Sequence, residues 1–254
     1  MLKRRMTLSE FNFYNMIKIK KKSVFSKGFL FFLGIALGMI CLLSQMNIAR
    51  AACFLSYDQA RTIKQGDGLI RINLQGGKEG LGTSLEGKLG LLGNRGLHLR
   101  SGTCQRSNLW GWGVEAGLNQ HWLSQEETGW VDLGYRLTTM IFFADDEDSS
   151  HSEIGFQPVF LISYPFILGL DESRTGYVSL GLGMTTYFID QRQHHIIDEG
   201  ADQIEKINLN SSVEWQPLVS VTTSLDILPF VPLALELRWQ QGGLYGGGSV
   251  AYQF

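Results

Sequence analysis

The chain reads as an all-β protein: a closed antiparallel up-and-down transmembrane β-barrel, most simply of ten strands. Three observations predict this. Segments with an apolar residue at every second position recur along residues 68–254, and no run there keeps helical spacing. Several of these segments reach the ~9–11 residues a tilted strand needs to cross a bilayer. The last segment, GGGSVAYQF, alternates up to the final residue. In a soluble domain such a terminal strand would be an unprotected edge, and closing the sheet into a ring removes it.

The first 51 residues have a different character. Lys18, Lys20, Lys21, Lys22 and Lys27 precede the 16-residue apolar run GFLFFLGIALGMICLL, and Ala49-Arg50-Ala51 follows. A basic start, an apolar middle and an A-x-A end are the parts of a secretory signal peptide. The run is short for a membrane-spanning helix of ~20 residues. Translation starts at Met1 or Met16. Residues 1–51 are thus a cleaved signal, 52–67 an N-terminal periplasmic segment or a lumen plug, and 68–254 the barrel. Residues 1–51 hold nine of the 22 Lys and Arg and a single acid, Glu10. The remainder, with 13 basic and 23 acidic residues, carries a net −10. That balance argues against nucleic acid, whose phosphates need a basic surface.

Strands are predicted, in order, near 68–75, 83–91, 96–102, 109–123, 129–143, 153–166, 175–189, 207–224, 231–240 and 244–254. In the fourth, Trp110, Trp112, Val114, Ala116 and Leu118 share one face. In the fifth, Val131, Leu133, Tyr135 and Leu137 oppose Asp132, Gly134 and Arg136. The seventh sets Val178, Leu180, Leu182 and Met184 against Ser179, Gly181 and Gly183, and the ninth sets Leu233, Leu235, Leu237 and Trp239 against Ala234, Glu236 and Arg238. Eight strands result if residues 68–91 stand outside the wall. A soluble β-sandwich also alternates, but here the polar faces are rich in glycine and charge while the apolar faces stay apolar almost throughout. Gln120 and Ser211 are exceptions, suited to an interface. Trp110, Trp112 and Trp239 gather toward one side, and Trp122, Tyr252 and Phe254 toward the other, as two aromatic girdles would. With a periplasmic C-terminus, the two longest connections, within 144–152 and 190–206, both fall outside.

The end of the chain resembles the C-terminal strand of bacterial outer-membrane β-barrels, which finish in Phe with aromatic or apolar residues at alternate positions before it. Val250, Tyr252 and Phe254 match that pattern. The resemblance implies location in the outer membrane, contact with its lipid and lipopolysaccharide, and recognition by the barrel-assembly machinery. It implies no activity.

Alternation turns ten charges inward: Arg71, Lys88, Arg100, Arg136 and Arg238 against Glu86, Glu115, Asp132, Glu214 and Glu236. Small barrels have interiors that side chains largely fill, and charges there must pair because an unpaired buried charge is costly. The expected function is therefore a non-catalytic, monomeric barrel with a largely sealed lumen, serving envelope structure or surface interaction. A narrow channel for small solutes is the alternative, although neither sign dominates as an ion-selective pore requires. Enzyme motifs fit poorly. Omptin proteases, which this topology resembles, carry Asp-x-Asp and Asp-x-His pairs, whereas Asp145 and Asp146 are adjacent and no Asp-x-His occurs. Lipid A deacylases use His-x-Ser, but Ser150-His151-Ser152-Glu153 sets serine beside histidine. His194 and His195 with Asp198, Glu199 and Asp202 match no closed metal site, and no cofactor is expected. Cys53 and Cys104 remain after export into an oxidising compartment, where they can form a disulfide. A free or acylated Cys53 is the alternative, although Arg50 stands where lipoprotein signals prefer Leu. The bond would thread CFLSYDQARTIKQGD through the lumen, and at ~3.3 Å per residue that stretch spans a bilayer core of ~30 Å.

Overall fold

The computed structural model describes residues 57, 59–77, 80–106, 109–146, 149–168, 174–199, 202–228, 230–240 and 243–254. The expected signal (1–51) and Cys53 lie outside the described residues. Ten strands are present: β1 (Gly68–Gly77), β2 (Gly80–Leu91), β3 (Arg95–Arg106), β4 (Leu109–Leu123), β5 (Asp132–Asp145), β6 (Ser149–Leu168), β7 (Arg174–Glu199), β8 (Asp202–Leu228), β9 (Val231–Gln240) and β10 (Gly243–Gln253). Each pairs antiparallel with its neighbours in sequence, and β1 pairs with β10, so the sheet is a closed barrel. The seam runs from Leu69 opposite Gln253 to Gly77 opposite Tyr245. At its base, Gly68 and Phe254 exchange backbone hydrogen bonds of 2.8 and 2.9 Å. A side chain at Gly68 would have to displace the Phe254 ring.

The period of two sets the two faces. On β5, Asp132, Gly134, Arg136, Thr138, Met140, Phe142 and Ala144 are buried inward, while Tyr135, Leu137, Ile141 and Phe143 are exposed outward. Ile70, Ile72, Leu85, Leu99, Leu235 and Val250 extend that exposed apolar wall. Soluble monomers rarely expose so much contiguous apolar surface. On β4 the exposed Trp112 and Trp122 stand ten residues apart. That is roughly 33 Å of strand, or about 25 Å along the barrel axis at the usual tilt near 40°, the height of a membrane-facing band. Gln120, at the polar end of β4, accepts a 2.7 Å hydrogen bond from the outward Tyr135 hydroxyl.

Two expected outer loops prove to be mostly strand. Within 144–152, Ala144 pairs with His151 and Asp145 with Ser150, and Asp146 and Ser149 close the turn. Within 190–206, β7 and β8 stay paired up to Glu199 opposite Asp202. Backbone pairing continues there although the sequence no longer alternates between apolar and polar residues. Ser211 lies on this extension, where it donates to Asp190. Pairing between β8 and β9 begins only at Leu218 opposite Gln240. The rim is therefore high over β7–β8 and low over β9–β10. At the base, the strand expected from residue 129 starts at Asp132. Before it stands one helical turn, α1 (Gln125–Thr128), held by reciprocal Ser124–Glu127 capping and ended by Gly129 at φ 78°.

The seam predicts the effect of changing the last residue. Phe254→Asp should lower the yield of folded barrel far more than it lowers export. Heat-modifiable gel migration of envelope fractions reads this, and wild-type yield would contradict it.

Candidate functional site in the lumen

Four inward residues at one level form a row of alternating charge around a third of the wall. Arg71 stands opposite Glu86, Glu86 opposite Arg100, and Arg100 opposite Glu115. Glu86 is the hub, fully buried. Its carboxylate accepts from Arg100 Nη2 at 2.8 Å and Arg71 Nη1 at 3.2 Å, with Lys88 Nζ at 3.4 Å. Glu115 lies 3.3 Å from both Arg100 Nη1 and His98 Nε2. On β9, the Arg238 Nε and Nη2 atoms both lie 3.0 Å from Glu236 Oε1.

The remaining inward charges meet neutral as well as charged partners. The register puts Asn119 opposite Arg136 and Met140 opposite Glu115, so Arg136 attracts the Glu115 carboxylate without being its direct cross-strand partner. Arg136 donates to Gln157 Oε1. Asp132 binds Arg61 Nε and His121 Nε2, each at 3.5 Å, and accepts from the Gln125 N–H at 2.8 Å. Glu214 accepts from Gln216.

Facing the charged row, β6–β9 carry a neutral amide cluster that charge-based reading misses. Gln157 donates to Thr185 at 2.8 Å. The Gln240 amide nitrogen lies 3.0 Å from Tyr187 Oη and from Gln216 Oε1. These residues share the inward parity of Arg136 and Glu236, so the signal was present in the alternation. His98, two positions before Arg100, was legible in the same way.

The segment before β1 runs within this interior. The Tyr57 N–H donates to Glu236 Oε2, and its carbonyl accepts from Arg71 Nη1 at 3.0 Å. Its hydroxyl lies 2.9 Å from the Leu74 carbonyl and 3.2 Å from that of Gly248. The Ala60 N–H donates to Ser163 Oγ at 2.6 Å, and Ala60 packs among Val159, Leu161 and Leu218. Arg61 reaches Asp132 and the Tyr177 hydroxyl. Near the base, a side chain at Gly90 would collide with the Ile63 and Lys64 carbonyls, so glycine makes the room they occupy. A cavity of about 40 Å³ lies beside Tyr57, Gln59, Arg71 and Lys88, room for a few waters at ~10–15 Å³ each. A wider hollow of about 300 Å³ lies at the base between Arg61, Lys64, Asn94 and His121.

The other candidates separate. His151 sits on β6, not on a loop, and contacts Glu153 and Gln191. Ser150 and Ser152 flank it and so face the opposite side of the strand. Strand pairing covers His194, His195, Asp198, Glu199 and Asp202. Among the described residues, no group of His, Cys, Asp and Glu is arranged to hold a metal ion. Val250, Tyr252 and Phe254 are exposed on the outer wall, and the last two rings stack at 6.4 Å. Cys104 is buried against Phe142 and Ala144 near the far rim, and is disulfide-bonded.

No family model matches this chain, and no curated protein does. Solved structures do. The KdgM porin aligns over 73% of this chain and 99% of its own, at 10% identity and a TM-score of 0.36. The N-terminal β-barrel domain of Pseudomonas aeruginosa OprF covers 76% and 100%, at 12% identity and 0.33. Neisserial surface protein A covers 74% and 93%, at 9% identity and 0.30. Likeness of this order assigns neither activity nor ligand.

The hub predicts a measurable coupling. Glu86→Gln leaves three cations facing one another and should cost about 3–5 kcal/mol, the usual loss when one partner leaves a buried pair. Exchanging charges in Glu86→Arg with Arg100→Glu should recover part of what either single change loses, as a double-mutant cycle by urea unfolding in detergent would register. Additive effects of about 1 kcal/mol or less would mean solvated, screened charges instead.

Proposed function

We propose that this chain is a non-catalytic bacterial outer-membrane β-barrel whose lumen is closed at rest, serving envelope structure or surface contact. The carrying observation is the set of bonds across the interior: among the described residues, the charged row, the amide cluster and the segment from Tyr57 onward join strands on opposite sides of the lumen. The exposed apolar wall and its tryptophans ten residues apart on β4 support a membrane-spanning placement. Lipid and lipopolysaccharide are then the partners of the outer wall. Val250, Tyr252 and Phe254 serve the assembly machinery, and the barrel works as a monomer. On this reading the β7–β8 hairpin projects from the cell and is the surface that meets other molecules.

Two measurements test it. Full-length mature protein refolded into planar bilayers should show no stepwise conductance, and steady open-channel steps would overturn the closed lumen. An epitope inserted at Gly200 should be labelled on intact cells. Labelling only after the outer membrane is breached would overturn the placement.

A further inference from the structure

The segment ahead of β1 makes contacts of a kind that a covering strand or a passing linker would not need. It crosses the lumen from the seam to the opposite wall. Tyr57 is bonded to Glu236 on β9 and Arg71 on β1, and lies against the Leu74 and Gly248 carbonyls of β1 and β10. Ala60 is bonded to Ser163 on β6, and Arg61 to Asp132 on β5 and Tyr177 on β7. Gly90 on β2 admits the Ile63 and Lys64 backbone. The wall is thus shaped and functionalised for this peptide at both ends of its path.

Barrel size explains why a peptide is needed. Eight strands enclose an interior that their own side chains just fill, and diameter grows about linearly with strand number. Ten strands therefore enclose roughly 1.6 times the cross-section. The excess is what the segment occupies.

We infer that the stretch from Tyr57 to Lys64 is a displaceable plug, and that the barrel without it is a channel for small hydrated ions. The vacated path is lined by Arg71, Lys88 and Arg238 against Glu86, Asp132 and Glu236, so the channel discriminates weakly between cations and anions. Among the described residues, the polar contacts between plug and wall are hydrogen bonds and an ion pair that water can replace. Cys104, near the far rim, is disulfide-bonded, and the chain's other cysteines, Cys41 and Cys53, both precede Tyr57 in the sequence. A dithiol opens that bond by passing two electrons to the disulfide, which yields two cysteine thiols while the dithiol closes to its own cyclic disulfide.

This inference rests on the closed-lumen reading, and the experiment separates the two. The mature chain and a variant lacking residues 52–64, with Cys104→Ser, are refolded and compared in planar bilayers. The full chain should be silent and the shortened one should give stepwise currents of weak ion selectivity. Currents from the full chain would remove the closed-lumen reading. A folded but silent shortened barrel would remove only the plug. Should the shortened chain fail the heat-modifiability test for folding, the full chain is refolded with a protease site replacing Gln65 and Gly66, cleaved, reduced with dithiothreitol and washed. Mass spectrometry then reports whether the peptide has left. Its departure with a gain of conductance supports the inference. A retained peptide, or a departed one with no gain, overturns it.

Discussion

Pairing of β1 with β10 is the constraint on which everything else in this molecule depends. A sheet whose first and last strands meet has no free edge within the wall, so its outer surface can be apolar all round without inviting further strands. Closure also creates an enclosed interior. Inside it, polar groups cannot rely on bulk water and must satisfy one another. The alternating row Arg71, Glu86, Arg100, Glu115 is the consequence: in a closed antiparallel wall, residues facing each other on adjacent inward positions meet directly, and opposite signs are the arrangement that holds.

The interior is not uniform around its circumference. Charges concentrate on β1–β4, whereas β5–β8 turn Met140, Val159, Leu161, Tyr187 and Leu218 inward beside the amides of Gln157 and Gln216. Arg136 on β5 attracts Glu115 on β4 and donates to Gln157 on β6, and so links the two regions. A purely aqueous pore would have no use for buried Leu and Met facing its axis. These residues make the lumen resemble a small protein core, into which Ala60 inserts as one more apolar group.

Much of this was legible in the chain, because a period of two is the strongest signal a strand can carry. Strand number, order and the direction of the charged side chains followed from alternation alone. Three things did not. The hairpin of β7 and β8 extends through residues 190–206 with no apolar face to betray it. The neighbours of Arg136 depend on register, which the turn around α1 sets and which alternation leaves free. The path from Tyr57 to Lys64 shows no period in the sequence, since Tyr57, Ala60 and Arg61 answer to different strands of the wall.

The position of Tyr57 bears on the order in which the molecule is made. Its hydroxyl touches carbonyls of Leu74 and Gly248, which face each other across the seam. The last strand is synthesised last, so the first strand waits unpaired until the whole chain is present. Once the two join, a peptide hydrogen-bonded to the inner side of that junction has no side entrance left. Once the wall is shut the peptide passes only through a mouth of the barrel, whereas before that moment it can be laid against an open sheet.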